Sequence, residues 1–411
     1  MAAPRLRLVS SRGPSGARPL PSRRGLVCAG GGITGAIYEI GVLAALEDRL
    51  DGFSLTDCDV FVGVSAGAYV GALVANGTSP SVLYRNATHP RGEGLDRLSF
   101  YRPNLAEIAS RAVSAPRIVL EALRDLRDSP GDLTLTDLVA SLAGLLPSGF
   151  FLLDGLEAWL ADWLSQPGRT NDFRALRRDL RLVAVALDSG ETRVFGSSSD
   201  EAVPISRAVA ASCALPGFFR PVRIDGVDYI DGGVRKTAHI SLALKERCGL
   251  VLCVNPIVPL RFPLAPSLSP RHPGQGALAG RGLLSVLDQV FRLSLHSRLR
   301  YGLDRYRRDY PDADIVLFEP KAEELPRLMR NMMRTSGRVR IAEYAYRTTQ
   351  QKLDAEYGRL SRVFERHGLP FAPIRRPEEL FDDAGAQRSR GERADRPERS
   401  ERPQRLAPDE V

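Results

Sequence analysis

A chain of 411 residues and 45.0 kDa is long enough to bury one large core or two smaller ones. Its hydrophobic fraction of 43% is that of an ordinary globular protein, and no apolar run reaches the ~20 residues of a membrane-spanning helix. Of the formal charge of +8, the first 24 residues alone supply six arginines and no acid. No basic stripe with interleaved aromatics and no nucleic-acid-binding motif follows, so nucleic acid is not an expected partner.

Residues 1–24 read as a disordered basic arm, without the hydrophobic stretch of a secretory signal. Leu26 to Ala29 reads as a short buried strand that runs into Gly30-Gly31-Gly32-Ile33-Thr34-Gly35. An apolar helical pattern follows through Ile37, Ile40, Val42, Leu43 and Leu46. Strand, glycine loop and helix N-terminus bring unpaired N–H groups together, which makes a place for negative charge. The spacing Gly30-x-Gly32-x-x-Gly35 also matches the dinucleotide fingerprint, which wants an acid at the end of the next strand. Here Asp57 and Asp59 precede that strand, which ends in serine, so an oxyanion hole is the better reading.

The second strand, Val60 to Val62, enters Gly63-Val64-Ser65-Ala66-Gly67, and small residues continue through Ala68, Gly71 and Ala72. This is the G-x-S-x-G pattern of a nucleophile elbow. Ser65 stands at the corner, and Gly63 and Gly67 flank it because side chains there would collide as strand meets helix. Residues 78–178 then break the α/β rhythm with helical apolar spacing around Leu120, Leu138, Phe150-Phe151, Trp159 and Trp163. They read as a mainly helical insertion, packed on the core or serving as a lid or acyl-chain channel, or both through different faces.

The α/β pattern resumes with strands at Leu182–Leu187 and Thr192–Phe195 and a small-residue helix from Ile205 to Ala214. Val222 to Ile230 resembles a hairpin turning at Asp225-Gly226, and it delivers Asp231-Gly232-Gly233. A further strand spans Leu250–Val254. Residues 257–282, rich in Pro and Gly, read as a mobile loop. A helix (283–308), a strand (Ile315–Phe318) and one long helix (about 336–367) complete the domain. Residues 375–411 mix nine arginines with ten acids and read as a disordered tail. The expected organisation is therefore an arm, one α/β domain over 25–374 with C-terminal helices at about 320–370, and a tail. The five cysteines are odd in number and mostly in apolar runs, which points to reduced thiols and a cytoplasmic setting.

An activated serine needs a base. None of the five histidines (His89, His239, His272, His296, His367) stands in a motif. His239, eight residues after Asp231, is kept for a supporting role, and Asp231 is the stronger candidate.

The glycine loop, Gly63-Val64-Ser65-Ala66-Gly67, Ala210-Ala211-Ser212-Cys213-Ala214-Leu215-Pro216 and Asp231-Gly232-Gly233 together resemble the patatin-like phospholipases, in the same order. The segment Gly35 to Asp48 is similar to the first helix of that family. The resemblance implies a three-layer α/β/α fold with a mainly parallel central sheet. It implies a Ser–Asp dyad of Ser65 and Asp231 and an oxyanion hole at Gly30, Gly31, Gly32, Ile33 and Gly35. It further implies hydrolysis of lipid acyl esters without metal or cofactor, with a membrane or lipid-droplet surface as peripheral partner. Alternatives are an esterase on neutral lipid or storage polyester, and a lipid-binding scaffold of low turnover. One position departs: many members carry Arg or Lys after the last loop glycine, and this chain has Ala36.

Overall fold

The computed structural model of the chain describes residues 7–9, 23–89, 101–128, 144–197, 202–261, 278–323 and 337–373. The chain divides at Phe371, and every element below belongs to the part before it. Continuous runs of Val, Leu, Ile and Phe, rather than alternating ones, suit strands covered on both faces. Five such runs form the parallel heart of the sheet: β2 (Arg23–Cys28), β3 (Val60–Val64), β6 (Asp179–Ala186), β11 (Cys248–Val254) and β12 (Asp314–Phe318), in the order β12-β11-β2-β3-β6. The antiparallel strands β1 (Arg7–Val9), β7 (Thr192–Phe195), β9 (Val222–Ile224) and β10 (Val227–Asp231) extend it. A separate three-stranded sheet joins β4 (Arg102–Pro103), β5 (Gly149–Leu152) and β8 (Gly217–Phe219).

The helices are α1 (Gly32–Glu47), α2 (Ala66–Ala75), α3 (Pro80–Thr88), α4 (Leu105–Asp128), α5 (Asp154–Leu164), α6 (Ile205–Ser212), α7 (Ile240–Lys245), α8 (Leu283–Asp309), α9 (Arg338–Ala355) and α10 (Tyr357–Arg366). Because side chains alternate across a strand, the sheet builds two cores. Leu26, Cys28, Phe61 and Leu252 pack with residues of α1, α2, α5, α6 and α9 on one face. Val27, Val60, Val62, Val251 and Ile315 pack with residues of α7 and α8 on the other. The result is the expected three-layer α/β/α arrangement with a mainly parallel sheet.

Two features of the topology place the site. Strand order reverses between β2 and β11, and ligands of open α/β sheets bind outside the carboxyl ends of strands at such a switch point. The glycine loop after β2 and Asn255-Pro256 after β11 meet there. The second feature is one edge of β6, which two strands share. Leu182 and Val183 pair with both β3 and β7, while Ala184 and Val185 pair with both β7 and β10. β3 and β10 therefore lie end to end on the edge away from β7. Val64 is opposite Val183 and Asp231 is opposite Ala184, so the residue after Val64 arrives beside Asp231.

Four expectations change. Arg7–Val9, inside the presumed arm, pairs with β12 and buries Leu8, and β2 begins at Arg23 rather than Leu26. Within the mainly helical insertion, Phe150 and Phe151 lie in a strand, β5, whose short length leaves strand and helix indistinguishable by periodicity. The single long helix is two, broken at Glu356 (φ −110°, ψ 14°) two residues before Gly358. Ile257, Val258 and Leu260, at the start of the presumed mobile loop, are buried. Residues 262–277 and the tail at 375–411 lie outside the described residues. Among the described residues no helix is long and apolar enough to cross a membrane.

Candidate active site

Ser65 sits at the corner between β3 and α2 with φ 55° and ψ −126°, a conformation an L-residue adopts only under constraint. The flanking glycines explain how the corner closes. A Cβ on Gly67 would lie 2.2 Å from the carbonyl oxygen of Cys28, and one on Gly63 would lie 2.5 Å from the Cα of Ala68. The end of α6 holds the corner. The Ser65 amide donates to Ser212 Oγ (2.8 Å), that hydroxyl donates to the Val183 carbonyl (2.6 Å), and the Cys213 thiol donates to the Ser65 carbonyl (3.1 Å). Ser212 had no expected role of its own, because a clamp across 147 residues leaves no local pattern.

The glycine loop lies against this corner: a Cβ on Gly30 would approach the Ser65 Cβ to 3.3 Å. Its five expected oxyanion residues divide into two groups. The Gly30 amide donates to the Thr237 carbonyl (3.1 Å) and the Gly35 amide to the Gly31 carbonyl (3.0 Å), so those two shape the loop and offer no free N–H. Gly31, Gly32 and Ile33 open α1 without a side-chain cap, and no acceptor among the described residues takes their amides. Gly32 turns the chain at φ 61°. Three free amides at a helix N-terminus can meet a developing negative oxygen.

Asp231 ends β10 with its side chain buried. Oδ1 accepts the Gly233 amide (2.7 Å), and the carboxyl also accepts the Ser65 hydroxyl. Burial raises its pKa from the ordinary 3.8 to about 6, against the opposing effect of those two hydrogen bonds. An aspartate so placed is a stronger base than a free one and is still ionised at neutral pH. The described histidines do not join this pair. His239, buried and pushed down to about 4 chiefly by desolvation, bonds to Gly232 and stays neutral. His367 Nε2 lies 2.9 Å from Asp314, His296 Nδ1 lies 3.8 Å from Glu319, and His89 is exposed at the end of α3. His272 lies outside the described residues.

A narrow cavity opens over Ser65, walled by Ile33, Ala36, Tyr69, Leu156 and Phe219 among others. Its walls are almost wholly apolar, which suits a hydrocarbon chain. Leu156 comes from α5, so the insertion contributes to this wall as well as to the core, and Phe219 of β8 adds to the wall from outside the insertion. Ala36, the departing position, is buried and faces the cavity. Among the described residues, no three His, Cys, Asp or Glu side chains gather in a way that would hold a metal ion.

A mainly parallel α/β sheet with such a corner under an apolar cavity is the arrangement of a lipid hydrolase. The chain matches the family model for patatin-like phospholipase over residues 26–244, just over half its length, and belongs to that family. The uncharacterized protein YqhO of Bacillus subtilis (strain 168) is 28% identical over 232 residues, which span 54% of this chain and 67% of that one. Among solved structures, VipD of Legionella pneumophila is 17% identical, covers 82% of this chain and 68% of its own, and superposes with a TM-score of 0.37. ExoU of Pseudomonas aeruginosa, solved in complex with SpcU, is 16% identical over 96% of this chain and 69% of its own, with a TM-score of 0.30.

Proposed function

We propose that the protein cleaves fatty-acyl esters of phospholipids and lysophospholipids with Ser65 as nucleophile and Asp231 as its base. The observation that carries this reading is the register of β6, which brings Ser65 beside the buried Asp231 carboxylate at the foot of an apolar cavity. As Ser65 Oγ attacks the ester carbonyl, its proton passes to Asp231, and the amides of Gly31, Gly32 and Ile33 receive the oxyanion. Collapse breaks the bond to the alcohol oxygen, which leaves with the proton from Asp231. Water then attacks the acyl-serine while Asp231 takes a proton from it. That proton returns to Ser65 as the fatty acid departs.

Exposed Phe150, Phe151 and Phe218 lie on the small sheet whose Phe219 lines the cavity, a suitable face for peripheral contact with a lipid surface. All five cysteines are free, in keeping with a reducing, cytoplasmic setting. The test is fatty-acid release from mixed phospholipid and lysophospholipid micelles with EDTA present, comparing the wild type with Ser65→Ala and Asp231→Asn. Release by the wild type and loss in both folded variants is expected. Release only from triacylglycerol or polyester would move the substrate and keep the dyad, whereas activity surviving in Ser65→Ala would overturn the reading.

A further inference from the structure

On the opposite face of the sheet from the Ser65 cavity, a cleft of about 430 Å³ lies between residues 235–245 and the second half of α8. Its walls carry Arg235, Lys236, Lys245, Arg298 and Arg305 against one acid, Asp309. Asp309 is already paired with Arg305 (2.9 Å). Lys236 and Lys245 have no acidic partner among the described residues. Arg235 bonds to the Gly190 carbonyl, and Arg298 to the carbonyls of Val234 (2.9 Å) and Arg235 (3.3 Å). Four of the five cations are therefore uncompensated in one concave space. Basic side chains on a convex surface are simply solvated, but cations gathered in a recess raise the local concentration of anions.

Two further observations separate this cleft from a solvated face. Thr237 lines it with its side chain 3% exposed and its hydroxyl without a partner, where a buried polar group ordinarily has one. The same residue is joined to the catalytic machinery, since its carbonyl takes the Gly30 amide next to Ser65. Arg298 meanwhile grips the backbone three and four residues after Asp231. The positive field also reaches inward: Lys236 and Arg235 add to the burial that keeps His239 neutral.

We propose that this cleft binds a phosphate-bearing anion, and that occupancy raises the hydrolytic rate by fixing residues 231–237, which carry Asp231 and anchor Gly30. The rate effect rests on the hydrolase reading above; the binding does not. A phosphate group can accept from Lys236, Lys245 and the Thr237 hydroxyl, which gives that buried hydroxyl a partner. A lipid headgroup and a free phosphate share this chemistry, and the two probes below distinguish them.

Binding is read by calorimetry on full-length Ser65→Ala, with inorganic pyrophosphate as the free anion. Flotation with phosphatidylcholine vesicles, with and without 20 mol% phosphatidic acid, reads the headgroup. Rate is read on the wild type with soluble p-nitrophenyl butyrate, as the ratio of turnover with pyrophosphate to turnover without it. Pyrophosphate is expected to bind and to raise turnover about threefold or more, and Lys236→Ala/Lys245→Ala is expected to abolish both effects. Thr237→Val keeps the carbonyl that holds Gly30 and is expected to weaken binding about fivefold to tenfold, the loss of one hydrogen bond to an anion. Binding should also fall steeply with added salt. Binding of acidic vesicles without pyrophosphate would assign the site to a headgroup. Absence of both, or retention of polyglutamate while both phosphate probes are ignored, would overturn the site. Binding with a rate ratio of one would overturn the coupling. A wild type inert on every ester, with the isotherm intact, would sink the hydrolase reading and leave the anion site standing.

Discussion

The cavity over Ser65 and the cleft beside Thr237 are joined by the stretch from Asp231 to Thr237, yet their chemistry is opposite. One is walled by Ile33, Tyr69, Leu156 and Phe219, the other by arginine and lysine. The difference lies in the two faces of one sheet. The face under α1, α2 and α5 buries Asp231, and burial raises the pKa of its carboxyl. The face under α7 and α8 is open and keeps its charges wet. The loop between them can therefore carry a buried acid and a row of cations within a few residues, and each environment tunes the other.

The largest effects break the apolar side. Ser65→Ala and Asp231→Asn should each lower kcat by about 10³-fold or more, since the proposed dyad uses both groups in the same proton transfer. The pH profile sharpens the point. With Asp231 near 6, kcat/KM on a soluble ester should rise through one inflection at about pH 6 and stay level above it. The same burial acts against stability. Asp231 holds its proton more tightly in the folded than in the unfolded chain, so the stability it contributes is complete below about pH 4 and lost as pH rises through 6. At pH 8 the ionised, buried carboxylate should cost on the order of 3 kcal/mol. Asp231→Asn is thus expected to melt higher than the wild type at pH 8, with the advantage gone at pH 4. Equal melting at both pH values would show that Asp231 is not desolvated.

Ser212→Ala is next. It leaves the Ser65 amide and the Val183 carbonyl buried without their shared partner, at a cost of about 2 kcal/mol. Because that hydroxyl pins a positive-φ corner, kcat should fall about tenfold to a hundredfold with little change in KM, whereas Ser212→Thr, which keeps the hydroxyl, should recover most of it. Denaturant midpoints and steady-state kinetics on one ester decide this. A stability loss with kcat intact would make Ser212 a packing residue only.

What the sequence revealed and what it hid follow the same physical line. The elbow, glycine loop and Asp-Gly-Gly turn were legible because their demands are local: a Cβ at Gly67 has no room, so the glycine must be written at that position. The pairing of Ser65 with Asp231 could only be inferred from resemblance, because it depends on two strands sharing one edge of β6. The same holds for the Gly30 amide, taken by Thr237 two hundred residues away, and for β1, whose three residues gain meaning only beside β12. Phe150-Phe151 carried too short a pattern to say strand, and the break at Glu356 had Gly358 as its one weak local signal.

Ala36→Arg tests the position where the chain departs from many relatives. Ala36 is buried in the cavity wall, so a long charged side chain there must fill acyl space or displace α1. Turnover of long-chain esters should fall about tenfold more than that of butyrate, consistent with a few buried methylenes lost at about 0.8 kcal/mol each. An equal fall on both would place the damage at the oxyanion loop instead.

The smallest effect concerns the way in. Phe150 is 46% exposed, and its carbonyl takes the Asn104 amide (2.9 Å) next to Leu105, itself 67% exposed, so the ring and Leu105 belong to adjoining backbone. Burying that ring in a lipid surface is worth about 1 kcal/mol, a fewfold in partitioning. Phe150→Ser should therefore weaken flotation with phosphatidylcholine vesicles about fivefold, and the change should appear in KM for vesicles rather than in kcat. The anion cleft gives the control: added salt should strip its contribution and leave the aromatic one, because hydrophobic contact is not screened. If salt abolished vesicle binding outright, the basic face alone would hold the membrane, and the Phe150 face would be ordinary surface.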